Sequence, residues 1–71
     1  MKFNYLNLRI KMTAEQFTPE MLANRIDMKY QTLYAKMKNA NYFKQGEIVL
    51  ICNVLNIPLD RSGEYFSVME V

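Results

Sequence analysis

Histidine is absent from this 71-residue chain, and cysteine occurs once, as Cys52. The first absence removes the usual general base near neutral pH and the commonest transition-metal ligand. The second excludes an intrachain disulfide and any cysteine-built zinc site. Glycine and proline number two each, too few for a turn-rich sheet protein, and no glycine-rich phosphate loop is present. The longest apolar run is Ile48-Val49-Leu50-Ile51-Cys52, far short of a membrane span. The carboxylates Glu15, Glu20, Asp27, Glu47, Asp60, Glu64 and Glu70 are scattered without a close pair. An enzyme is therefore not expected, and neither is a metal or other cofactor. The six methionines read as core filler, since no His or Cys cluster joins them to make a copper site.

What is present is apolar: 51% of the chain, enough for a compact fold of one domain, residues 1–71, near the lower size limit for a core without staples. Met1 to Tyr5 contain no apolar segment of the kind a signal peptide needs, so a cytoplasmic protein with no membrane partner is expected. Cys52 falls on the Ile48, Ile51, Cys52, Leu55 stripe, where a buried, inert thiol is expected. Net charge is only +2 but unevenly spread. Residues 18–46 carry Arg25, Lys29, Lys36, Lys38 and Lys44 against Glu20 and Asp27, whereas residues 47–71 are net acidic.

The pattern predicts an all-α fold of four to five short helices. Asn4 can cap a first helix over about Tyr5 to Gln16, with Leu8 and Met12 inward and Phe17 closing the core beneath its end. Thr18 followed by Pro19 is a strong start for a second helix reaching Arg25 or Ile26. Asp27 occupies the turn, where a left-handed backbone is often needed. A third helix spans about Lys29 to Lys38, and Asn39-Ala40-Asn41 ends it. A fourth covers Gln45 to Leu55, stopped by Asn56 and Pro58. A short fifth can run from Leu59-Asp60 to Gly63, and the tail from Glu64 is β-prone, allowing a short C-terminal strand.

The apolar residues between Thr18 and Lys44 form two short blocks, Leu22-Ala23-Ile26 and Leu33-Met37, separated by a turn of a few residues. So short a connection suits two helices crossing steeply, a helix-turn-helix, whose second helix is held where it can enter the major groove of DNA. The basic middle of the chain coincides with that segment, as a phosphate-facing surface requires. With Leu33 taken as the inward direction, Met37 lies beside it and Lys29, Tyr30 and Lys36 flank the stripe. Gln31, Ala35 and Lys38 lie nearly opposite, with Thr32 and Tyr34 at the borders.

The ordered set Phe3-Asn4-Tyr5…Leu8-Arg9, Thr18-Pro19-Glu20-Met21-Leu22-Ala23, Ile26-Asp27-Met28, Thr32-Leu33…Lys36-Met37-Lys38-Asn39-Ala40 and Glu47-Ile48…Ile51-Cys52…Leu55-Asn56-Ile57-Pro58 resembles the Cro/CI-type helix-turn-helix regulators of bacteriophages, particularly small ones from Gram-positive hosts. The resemblance runs from Phe3 to Phe66. It implies a lambda-repressor-like domain (core 4–63) that binds operator DNA, commonly as a homodimer, in the bacterial cytoplasm and at the nucleoid. The chain departs from the family's usual pattern at several places. Pro19 stands where a Gln usually braces the recognition helix, and Asp27 where the turn glycine stands. Asn39-Ala40-Asn41 replaces Asn-Gly-Lys, and Lys44 replaces a capping Thr. Met12 and Met37 occupy positions where some relatives bury an Arg–Glu pair, and an apolar pair avoids that pair's desolvation.

The residues expected to meet DNA are Lys29, Tyr30, Gln31, Tyr34, Ala35, Lys36, Lys38, Asn39, Asn41 and Lys44. Gln31 can bond bidentately to adenine or simply be solvated. Ala35 can touch a thymine methyl or serve only as a helix former. Tyr30 and Tyr34, one turn apart, can stack on sugar and phosphate, pack on the core rim or meet another protein. The lysines can neutralise phosphates, and Asn39 and Asn41 can donate to phosphates or merely end the helix. The tail Tyr65–Val71, together with Met1–Tyr5, is the expected dimer contact, because its apolar residues exceed what a monomer comfortably exposes. The alternative reading is an antirepressor: the same fold binding a phage repressor protein instead of DNA, favoured by the departures, the modest charge and the two tyrosines.

Overall fold

Among the described residues the four α-helices end in the same way, and none of them uses glycine to do so. The structure, a computed structural model, describes residues 3–68. In chain order it contains β1 (Phe3–Asn4), α1 (Leu6–Ala14), α2 (Pro19–Arg25), α3 (Tyr30–Met37), α4 (Gln45–Leu55), a 3-10 helix (Leu59–Glu64) and β2 (Ser67–Val68). The fold is thus mostly helical. Gln16, Asp27, Asn39 and Asn56 follow the four helices, and each adopts a left-handed φ between 55° and 66°. Behind each, an amide returns to the last turn. Phe17 N–H donates to Met12 O at 2.7 Å, Met28 to Ala23 at 2.8 Å, Ala40 to Ala35 at 2.9 Å and Ile57 to Cys52 at 2.8 Å.

This is the Schellman closure, in which the residue beyond the left-handed position reaches the carbonyl five residues back. The closing residue and its acceptor are apolar in every case, and behind α1, α2 and α4 the closing residue also turns inward, whereas Ala40 behind α3 is exposed. Phe17, Met28 and Ile57 all lie in or against the core, as do Met12, Ala23 and Cys52. Helix starts are equally local. The Thr18 hydroxyl accepts from Met21 N–H at 3.2 Å with Pro19 in the first helical position. Asn4 Oδ1 accepts from Leu6 N–H at 3.0 Å, which starts α1 one residue later than expected and leaves Tyr5 at the cap, buried.

The core comprises Tyr5, Leu8, Met12, Leu22, Ala23, Ile26, Leu33, Met37, Ile51, Cys52, Leu55 and Ile57. Ile48, expected inward on α4, is only partly buried against it. Burial raises the Cys52 thiol pKa above its ordinary value, as suits an inert core thiol. The fifth helix is a 3-10 turn that runs through Gly63 to Glu64.

The first and last of the described residues meet. β1 and β2 form an antiparallel pair with Phe3 opposite Val68 and Asn4 opposite Ser67. Phe3, Tyr5, Tyr42, Phe43 and Phe66 pack ring to ring, most of them edge to face at centroid distances of 5.5–6.2 Å. The packed core therefore extends beyond residue 63, to Tyr65 and Phe66. Tyr65 and Phe66 pack on their own core, because Tyr5 and Phe43 offer them an aromatic site within the same chain. Met1, Lys2 and Met69–Val71 lie outside the described residues.

Two polar joints complete the fold. The Asn39 amide accepts from Phe3 N–H at 2.6 Å and donates to Phe3 O at 3.1 Å, pairing with that residue as a neighbouring strand would. The Glu47 carboxylate accepts from Lys36 Nζ at 2.6 Å and from the Lys44 backbone N–H at 2.8 Å. A lysine ammonium has no acceptor, so Lys44 and Glu47 make only half of a capping box. Among the described residues no buried side-chain polar atom lacks a partner.

Replacing the left-handed residue by glycine separates two of these closures. Gln16→Gly should stabilise by about 0.5–1 kcal/mol, raising Tm by roughly 2–8 °C, since only backbone strain is removed. Asn39→Gly relieves the same strain but strands both backbone groups of Phe3, and should lower stability by about 1–2 kcal/mol. Thermal melts of the two variants check the difference in sign.

The ion pair generates a second expectation. Lys36 is the more enclosed partner, with 8% of its side chain exposed against 21% for Glu47. Glu47→Ala should therefore cost about 2–3 kcal/mol and Lys36→Met about 1 kcal/mol or less, measured by urea unfolding. Burial acts to raise the Glu47 pKa, but the Lys36 hydrogen bond, the Lys44 N–H and the charges of both lysines outweigh it and lower the value. A depressed carboxyl stabilises the fold above its unfolded pKa and loses that contribution as pH falls through the folded one. Glu47→Gln should accordingly flatten the acid limb of the stability curve.

Candidate functional site

Helix α3 has two unlike sides. Leu33, Lys36 and Met37 are buried, whereas Tyr30, Gln31, Thr32, Tyr34 and Lys38 are exposed. It packs chiefly on α2, across the turn Ile26–Lys29 whose left-handed Asp27 lets the chain change direction within a few residues. Lys29 is the N-cap in extended backbone, and Lys38 is the C-cap. The inward side follows from one apolar pair, Leu33 and Met37, and from the pull of Glu47 on Lys36.

The outward residues are organised. The Tyr30 and Tyr34 rings stack at 5.6 Å between centroids, 29° from parallel. Lys38 Nζ sits over the Tyr34 ring at 4.5 Å. Residues 30, 34 and 38 thus form a ladder along one edge of α3, ending in a cation that has no carboxylate partner among the described residues. Gln31 is exposed beside this ladder, and its amide makes no hydrogen bond to protein among the described residues. No acidic residue occurs in α3.

Two of the expected site residues are placed elsewhere. Lys36 is not on the outer face: it is 6% exposed, paired with Glu47, and its ammonium lies 6.0 Å from the Phe43 ring centroid. Its angular position beside Leu33 left the choice between flank and core open, and the carboxylate on α4 decides it. The Asn39 amide pairs with the Phe3 backbone through one accepted and one donated hydrogen bond, while its left-handed backbone closes the C-terminal end of α3. Ala35, expected opposite Leu33, is half-buried where the loop after α3 folds back on its carbonyl. Lys29, Asn41 and Lys44 are exposed. Thr32 joins Gln31 on the exposed surface, a placement the helical wheel already indicated at its border. Arg9, which sequence patterning did not single out, shares a cleft with Tyr34 and Lys38; only the folding of the chain brings these segments together.

Among the described residues no cluster of three His, Cys, Asp or Glu can hold a metal ion, and no helix is long and apolar enough to cross a membrane. What the surface offers is a short, rigid, acid-free helix edge with one amide, two stacked phenols and a terminal ammonium. Such a surface can donate and accept hydrogen bonds at base edges, stack on sugars and neutralise phosphate. Compared with known proteins, the sequence matches no protein-family model and no curated protein.

Proposed function

We propose that this chain is a sequence-specific DNA-binding regulator that inserts α3 into the major groove, in keeping with its resemblance to phage Cro/CI-type regulators. The observation that carries the reading is the division of α3 into a bound underside and an unoccupied outer edge bearing Gln31, Tyr34 and Lys38. An eight-residue helix is about 12 Å long, comparable to the groove's width of about 12 Å. In this reading Gln31 meets an adenine edge, with Thr32 and Ala35 beside it. Tyr30 and Tyr34 lie along the sugar–phosphate wall, while Lys29, Lys38 and Lys44 fix the register on phosphates. So small a module presents limited contact area, and two copies on half-sites about 34 Å apart would supply the rest.

The tyrosine ladder also favours a second reading. Tyrosine is enriched in protein interfaces, and with Lys36 neutralised by Glu47 the α3 segment carries less free charge than its composition suggests. An antirepressor would use the same edge to hold a phage repressor. Mobility shifts separate the two: the regulator shifts operator DNA alone, whereas the antirepressor only changes the shift made by its partner.

Charge placement makes the DNA reading quantitative. Three free lysines per protomer predict a slope of log K against log salt of about −3 per protomer. Lys38→Ala should make it shallower by about 1, and Lys36→Met should leave it unchanged, because that ammonium is already matched. Gln31→Ala should lose about 1–3 kcal/mol of discrimination at one base pair and little non-specific affinity. Binding that is indifferent to both Gln31→Ala and Lys38→Ala removes α3 from the interface.

A further inference from the structure

A cleft of about 290 Å³ opens between α1, the start of α2 and the last turn of α3. Its floor is apolar: Met12 and Met37 are buried, and Phe17 is half-buried. Tyr34 forms a wall, and Arg9 and Lys38, both exposed, stand at the rim. No carboxylate lines the cleft, and neither cation is paired with one among the described residues. Lys38 is held in place by the Tyr34 ring beneath its ammonium.

We propose that this cleft is a binding site for a small aromatic carboxylate. Two thioethers and two aromatic side chains make a polarizable lining suited to a flat ring, because sulfur and ring edges both contact aromatic faces favourably. The volume is at the low end of small-molecule pockets and accommodates one or two fused rings. The rim then meets the anionic group: the Arg9 guanidinium offers the fork that matches a carboxylate, and Lys38 adds a second charge. An apolar ligand would leave both cations unused, and an inorganic anion would leave the floor uncovered. The site does not depend on the DNA reading, although Tyr34 and Lys38 belong to both surfaces. A bound carboxylate would therefore compete for the Lys38 charge that a phosphate would use.

The test is titration of the 71-residue, DNA-free chain with 2-naphthoate, followed by amide and methyl NMR. The expected result is saturable shifts centred on Met12, Phe17, Tyr34 and Met37, with Kd of about 0.1–1 mM for a ligand of this size. The uncharged 2-naphthamide should bind at least about tenfold more weakly, and Arg9→Gln or Lys38→Gln should each weaken naphthoate about three- to tenfold. Both positions are exposed, so the variants should retain the wild-type spectrum elsewhere. Equal binding of naphthoate and naphthamide, shifts centred away from the two methionines, or the same shifts produced by inorganic phosphate alone would each overturn the assignment.

Discussion

The Glu47 carboxylate is the joint on which the exposed helix is set. One oxygen takes the Lys36 ammonium from the underside of α3 and the Lys44 amide at the start of α4. A single group therefore fixes the rotation of α3, begins α4 and bridges the loop between them. The arrangement carries a desolvation penalty that an apolar pair would avoid. Its consequence is directional: the ammonium, 2.6 Å from one carboxylate oxygen, ties residue 36 to a single point on α4. The same joint hides a positive charge from the solvent side of α3, so the electrostatics of the outer edge are set from beneath it.

Around this joint the fold is tightened by local closures and by one long-range clamp. Four left-handed residues without glycine store some backbone strain; each is matched by an amide returning to the helix, and three of the four by an apolar residue turning inward. Asn39 does more than the other three, since its side chain also binds Phe3, 36 residues away. The end of α3 is thus tied to the strand pair formed by β1 and β2. The aromatic cluster takes up Phe66 and the core takes up Tyr65, two residues whose apolar character in the sequence equally suited a partner's surface. A small domain gains more by using such residues internally, because its core is otherwise near the minimum for stability.

Much of this was legible in the order of residues. Thr18-Pro19 fixes the start of α2, Asn56 and Pro58 fix the end of α4, and the Leu33–Met37 spacing distinguishes the two sides of α3, because caps and 3.6-residue periodicity act within one or two turns. Lys36 was not legible. A helical wheel places it at the border of the apolar stripe, and only the carboxylate eleven residues later decides that it goes under. The Glu47 signal was present as an acidic residue three positions after a helix cap, but that pattern identifies a helix start and not a partner on another helix. Asn39 was read as a terminator, which is correct for its backbone; the destination of its amide depends on where Phe3 arrives.

By itself, then, the sequence determined that the fold is helical, where each helix lies to within a residue or two, most of the residues that form the core and which edge of α3 is polar. These properties arise from interactions spanning at most about five residues, and such interactions are written contiguously. Tertiary structure alone decided which lysine is spent inside, which asparagine is a clamp, that β1 and β2 pair with each other and that Arg9 faces Lys38 across a cleft. Each of these needs two segments brought together by folding. The energies that choose among such pairings depend on burial and distance, neither of which exists until the chain has closed.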